Sequence, residues 1–140
     1  MRLVLDTNTA LSGLIWNGPP CRLIEAAEGG LVSLFSSVAL LTELRTVLSR
    51  EKFARPLARR DVAVAEVFGH YVALVTIVAP ALITPTINRD MSDDAVLATA
   101  LGARADLIVS GDAHLLNLKS FQKIDIVTAT TASGLINPGG

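Results

Sequence analysis

The sequence predicts an α/β domain: a five-stranded parallel sheet with helices on both faces, in three layers, spanning 1–140. Three observations predict it. Short runs rich in Val, Leu and Ile alternate with longer helix-forming stretches, in the order β-α-α-β-α-α-β-α-β-α-β-α. The strand runs are apolar at nearly every position instead of every second one, as in strands covered on both faces. Acids stand directly after two of these runs, where open parallel sheets hold their ligands.

At 140 residues, one domain with a proper core is the natural expectation. Hydrophobic residues make up 51% of the chain, which places it among folded proteins. No apolar run reaches the roughly 18 residues needed to span a bilayer. An acid at position 6 leaves no room for a signal peptide before it. A single cysteine, Cys21, excludes an internal disulfide and points to a reducing, cytoplasmic compartment. The net charge of −1 argues mildly against broad electrostatic attraction to nucleic acid.

Taken in order, Arg2 to Leu5 is a strand ending in Asp6-Thr7-Asn8, and Asp6 or Asn8 can cap a helix from Thr9 to Ile15. Pro19 and Pro20 open a helix over Cys21 to Glu28, which Gly29-Gly30 ends. Leu31 to Phe35 is the second strand. Ser36 and Ser37 cap a helix from Val38 to Ser49 that turns Leu40, Leu41, Leu44, Val47 and Leu48 inward. Glu43 lies about 40° from Val47, on the border of that buried face. Residues 50–60, REKFARPLARR, hold five of the twelve basic residues: either a wet face or a phosphate-contacting patch. Asp61 to Leu74 is a helix with Val62, Ala65, Phe68 and Val72 as its core face. Thr76 to Val78 is the third strand, and Ala79 to Arg89, with Pro80 and Pro85, is a loop.

Residues 91–116 are the organising stretch. Ala95 to Ala103 is nearly all Ala, Leu and Val and reads as a helix. At roughly 100° per residue, Asp94 shares a side with Leu97, Ala98 and Leu101, and Asp93 projects elsewhere. A first-turn acid is also favoured by the helix dipole, by ~0.3–1 kcal/mol. Ala105 to Val109 is the fourth strand. Gly111 then allows a sharp turn that leaves Asp112 at the strand end, where it can also cap a helix from Ala113 to Leu118. A fifth strand, Ile124 to Thr128, precedes a short helix, Thr131 to Ile136, and a Pro-Gly-Gly tail.

Asp6 and Asp112 from strand ends, with Asp94 and Glu43 from neighbouring helices, are thus expected at one sheet edge. Four carboxylates gathered together repel. A hard divalent cation, Mg²⁺ or Mn²⁺, removes that repulsion; such ions take oxygen ligands, waters and substrate phosphate. The site could then activate water against a phosphodiester. Zinc spacing, a phosphate-cradling GxxxxGK[ST] and a GxSxG elbow are all absent.

LDTN at 5–8, LLTELRTVLSREKF at 40–53, DDAVLATALGARADLIVSGD at 93–112 and the HLL after Ala113 resemble the PIN-domain family. The likeness is greatest to the toxin ribonucleases of toxin–antitoxin pairs. The resemblance covers nearly the whole chain in order. It implies a five-stranded α/β/α domain and a Mg²⁺- or Mn²⁺-dependent endoribonuclease acting on single-stranded RNA. It also implies a homodimer neutralised by a small antitoxin protein. Asp6, Glu43, Asp94 and Asp112 match the family's acidic quartet, with Asp6, Asp94 and Asp112 as metal ligands and Glu43 acting on water. Asn8 and Ser110 match its orienting polar residues. Arg50, Lys52, Arg55, Arg59 and Arg60 are candidates for contact with the RNA backbone.

Two other functions compete. A phosphotransfer domain fits the sheet, but Asp6 has no paired acid beside it, position 8 is Asn, and no Lys follows the last strand. A silent RNA- or protein-binding module suits the mild negative charge.

Overall fold

A computed structural model describes residues 1–84 and 91–136. The part of the expected 79–89 loop beyond Thr84, and the Pro-Gly-Gly tail, lie outside the described residues. One sheet contains β1 (Arg2–Leu5), β2 (Ser33–Ser36), β3 (Thr76–Ile77), β4 (Leu107–Val109), β5 (Ser120–Phe121) and β6 (Ile124–Val127), in the order β3-β2-β1-β4-β6-β5. Around it lie α1 (Thr7–Ile15), α2 (Pro19–Glu28), α3 (Val38–Leu48), α4 (Glu51–Arg59), α5 (Val64–Leu74), α6 (Met91–Ala103), α7 (Ala113–Leu116) and α8 (Ala129–Ile136).

All five expected strands are present and pair in parallel. The sheet nevertheless has six strands, because β5 pairs antiparallel with β6. The turn between them uses Gln122 (φ 48) and Lys123 (φ 70), both left-handed as a tight two-residue hairpin requires. Neither residue is the Gly, Asn or Asp that announces such a turn, so the sequence reads there as a plain connection.

Both faces of the sheet are buried, for the reason the continuous apolar runs suggest. Leu3, Leu5, Leu107 and Val109 belong to one core. Val4, Ile108 and Ile126, alternating with them, belong to the other. Each such side chain removed from water contributes ~1.5–3 kcal/mol. α1, α2, α3 and α5 supply most of the first core, whereas α6 caps the second with Val96, Leu97 and Ala100.

α4 is a helix that the sequence pattern does not announce. It carries Pro56 internally, a residue that removes one helical hydrogen bond and makes the segment look like a loop. Asp61, expected to open the next helix, instead adopts φ 58 beyond the end of α4. α5 therefore begins at Val64 and buries Tyr71, with Val64, Val67, Phe68 and Val72 half-buried; Ala65 is exposed.

Gly102 falls near the end of α6 but does not cap it; Arg104, at φ 52, takes the left-handed position. Gly102 is where residues 79–81 press on the helix. Ala81 N–H donates to the Ala98 carbonyl at 3.0 Å, and a Cβ on Gly102 would fall well inside van der Waals distance of the Ala79 carbonyl oxygen. Gly102→Ala is therefore expected to lower stability by ~1–3 kcal/mol. The denaturant midpoint should fall with an unchanged slope.

Candidate functional site

The sheet order sets the site. From β1 the chain builds outward through β2 and β3 on one side, then returns to build β4, β6 and β5 on the other. Such a reversal opens a crevice between the carboxyl ends of the two central strands, here β1 and β4. Asp6 follows β1 and Ser110-Gly111-Asp112 follow β4. The two ends are tied directly, since Asp6 N–H donates to the Val109 carbonyl at 3.1 Å.

Asp6 is 5% exposed. Its Oδ1 accepts from Thr9 N–H at 2.8 Å, capping α1, and its Oδ2 accepts from the Ser110 hydroxyl. That hydroxyl in turn accepts from Asp112 N–H at 2.9 Å. Asp112 Oδ1 accepts from His114 N–H at 2.7 Å, capping α7. Both acids therefore cap helices, and capping does not exhaust them, because a carboxylate has about four acceptor positions. Ser110, 1% exposed, links the two acids through one oxygen, in keeping with its expected orienting place. Asn8 is exposed and stands at the rim; the groups that hold Asp6 are Thr9 N–H and Ser110.

A small cavity of about 50 Å³ lies at this edge, lined by Asp6, Thr7, Asn8, Glu43, Ser92, Asp93, Val96 and Asp112. Three of the four expected acids, Asp6, Glu43 and Asp112, meet there. The acid from α6 that joins them is Asp93, not Asp94. Asp93 is 6% exposed; Asp94 is half-buried and does not line the cavity. The physical reason is that α6 is buried on almost every side. Its closest-packed stripe runs through Asp93, Val96, Leu97, Ala100 and Ala103. With Ala, Leu and Val at nearly every position, the apolar pattern carries no phase from which to choose between adjacent acids.

Every donor is oxygen, as Mg²⁺ and Mn²⁺ prefer. The Thr7 hydroxyl is buried in the cavity wall and has no hydrogen-bond partner among the described residues, a polar atom placed for a ligand or water. The cavity has room for an ion and a few waters but not for a nucleotide. Against this, no group of three His, Cys, Asp or Glu among the described residues is drawn tightly enough to form a ready-made ligand cluster. The donor chemistry fits.

Two supports of this edge left no signal in the sequence. The Thr99 hydroxyl, on α6, donates to the Ala95 carbonyl at 2.7 Å and is hydrogen-bonded to the Ser37 hydroxyl at 2.8 Å inside the protein, and Ser37 caps α3. The helices bearing Asp93 and Glu43 are thereby tied together. Tyr71, 2% exposed, has its phenol held above the usual range by burial and then by the charge of Asp6. The neutral phenol is thus favoured in the fold. Its contribution is complete below about pH 10, the unfolded value, and is lost as pH rises beyond it. Tyr71→Phe should make alkaline unfolding less steep with pH, read as melting temperature between pH 9 and 11.

The basic run divides. Arg50 and Lys52, with Phe53, line a larger cavity of about 540 Å³ that shares Asn8 and Glu43 with the acidic one. Arg60 is committed elsewhere: its guanidinium donates to the Ile15 carbonyl at 2.8 Å, at the far end of α1. Nine residues of helix put that end roughly 13 Å from Asp6. Arg55 and Arg59 are exposed and line neither cavity. Arg60→Met should lower stability by about 1 kcal/mol and leave nucleic-acid binding unchanged, as melting and anisotropy would show. His70 is likewise structural in position, 3.0 Å from Glu28 on α2.

No helix among the described residues is long and apolar enough to cross a membrane. No curated protein matches the sequence closely enough to count as a relative. A family model described as PIN domain matches residues 2–114, a span that takes in β1, the crevice, Glu43, both acids of α6 and Asp112. With the three-layer sheet and the acid-lined switch point already established on geometry, that match makes this chain a member of the PIN-domain family.

Proposed function

We propose that this protein is a Mg²⁺- or Mn²⁺-dependent endoribonuclease that hydrolyses single-stranded RNA at the crevice between β1 and β4. The observation that carries the proposal is the meeting of Asp6, Glu43, Asp93 and Asp112 around one small cavity in a fold whose members are generally nucleases. Asp6, Asp93 and Asp112 would hold the ion, directly or through water, with Ser110 keeping Asp6 and Asp112 in register. Bound there, the ion supplies an activated water and neutralises charge on the phosphodiester. Glu43, half-buried on α3, orients or deprotonates the attacking water. Asn8 at the rim contacts the substrate backbone. Cleavage leaves a 5′-phosphate and a 3′-hydroxyl. Asp94, the next residue of α6, is the alternative acid.

The test is cleavage of a labelled single-stranded RNA with Mn²⁺, with and without EDTA. Cutting that EDTA abolishes is expected; no cutting in either arm overturns the proposal. The proposal extends to a toxin neutralised by a cognate antitoxin and acting as a homodimer, on the sequence resemblance already described. Expression should then arrest growth, and light scattering should give twice the chain mass.

A second reading, a module that binds RNA or protein without cutting, suits the net charge of −1. Full binding of RNA with no turnover in Mn²⁺ would favour it.

A further inference from the structure

We infer that the cavity beside Glu43 is a subsite for one nucleotide flanking the cut, with Arg50 and Lys52 on its phosphate and Phe53 under its base. The inference rests on the nuclease reading of the acidic cavity and adds where the strand lies. Three adjoining cavities share Asn8: the acidic one, one on the Asp112 side and one on the Glu43 side. Cationic side chains line only the last of them among the described residues. An RNA strand crossing the acids needs positive charge to offset phosphates that the ion does not neutralise, and along this path it is found on the Glu43 side alone.

The cavity, at about 540 Å³, has the space for a nucleotide that the 50 Å³ cavity lacks. Phe53 is half-buried, packed against the core yet open to the cavity. Lys52 Nζ stands 5.4 Å from the centre of its ring. That exposed cation–π contact is weak beside base-on-aromatic stacking. A base can therefore take the ring while the ammonium moves onto the adjoining phosphate. The Arg50 backbone opens α4, and its guanidinium, which has donors only, has no part in capping it.

The test measures anisotropy of 5′-fluorescein hexauridylate and of an abasic hexamer in Ca²⁺, with cleavage in Mn²⁺ followed separately. Phe53→Leu should weaken hexauridylate about five- to a hundred-fold, leave the abasic strand unchanged and keep the melting temperature; Phe53→Trp should restore binding. Arg50→Gln with Lys52→Gln should weaken both strands and flatten the log–log salt slope by about 0.7, the share of one phosphate. If the wild type cuts RNA but these variants bind like it, the subsite is wrong and the nuclease reading stands. If they weaken binding while the wild type never cuts, the subsite stands and the nuclease reading falls. Tighter binding of hexaglutamate than of hexauridylate overturns the inference in favour of an acidic peptide.

Discussion

Asp93→Asn is expected to reduce metal-dependent RNA cleavage by more than about a hundredfold, whereas Asp94→Asn stays within about tenfold of wild type. Loss of a residue that merely orients a metal ligand typically costs 10- to 100-fold, so loss of a ligand should exceed that range. The two residues share a helix turn and a chemistry, and they differ in where the chain puts them. Asp93 is 6% exposed and lines the cavity with Asp6, Glu43 and Asp112, while Asp94 does not. The exchange to Asn keeps the shape and removes one of several like charges. The metal-free protein should therefore melt at the wild-type temperature or slightly above it. Mn²⁺ provides a readout independent of turnover. An ion bound only by the folded state stabilises it by about 2.7 kcal/mol at a hundred times its Kd. The wild type and Asp94→Asn should show that rise in melting temperature, and Asp93→Asn should lose most of it. The reverse ranking, in both cleavage and melting, would assign the site to Asp94.

Why the sequence could place three of these acids and not the fourth follows from the kind of signal each one carries. Asp6 stands directly after Leu3-Val4-Leu5, and Asp112 stands three residues after the end of Leu107-Ile108-Val109, so their position at the sheet edge follows from chain direction. Glu43 lies on α3, which has exposed Thr42, Arg45 and Thr46 opposite buried Leu41, Leu44 and Leu48, and that contrast fixes the helix rotation. α6 has no such contrast, being packed against β1, β2 and β4 on one side and crossed by residues 79–81 near its end. Rotation there is set by tertiary contacts, of which the close approach at Gly102 is one. The missed α4 and the β5–β6 hairpin fail for a related reason. Pro56 sits inside a helix, and Gln122 and Lys123 take left-handed conformations, each against its local preference, so surrounding structure decides. The basic run was legible as charge but not as geometry, since only the fold sends Arg60 to the end of α1 and leaves Arg50 and Lys52 beside Glu43.

Ser110→Ala is expected to reduce cleavage about 10- to 100-fold with little change in the fold. Ser110 is 1% exposed, so Ala fills most of its space and no new polar atom is buried. Two partners do lose it: Asp6 Oδ2, which accepts from the hydroxyl, and Asp112 N–H, which donates to it at 2.9 Å. Leaving such groups unsatisfied costs ~1–3 kcal/mol, and the loss falls at the sheet edge, away from the core. Asp6 keeps Thr9 N–H and Asp112 keeps His114 N–H, so both helices stay capped. What disappears is the hydroxyl whose two hydrogen bonds link the acids of β1 and β4 to each other. An ion shared by those acids needs each of them in the correct orientation. Without the shared hydroxyl, apparent Mn²⁺ affinity should therefore fall while saturating Mn²⁺ restores much of the rate. Ser110→Thr retains the hydroxyl and should recover the affinity if the added methyl is accommodated. A Ser110→Ala variant with wild-type Mn²⁺ dependence would show that Asp6 and Asp112 do not act as a coupled pair.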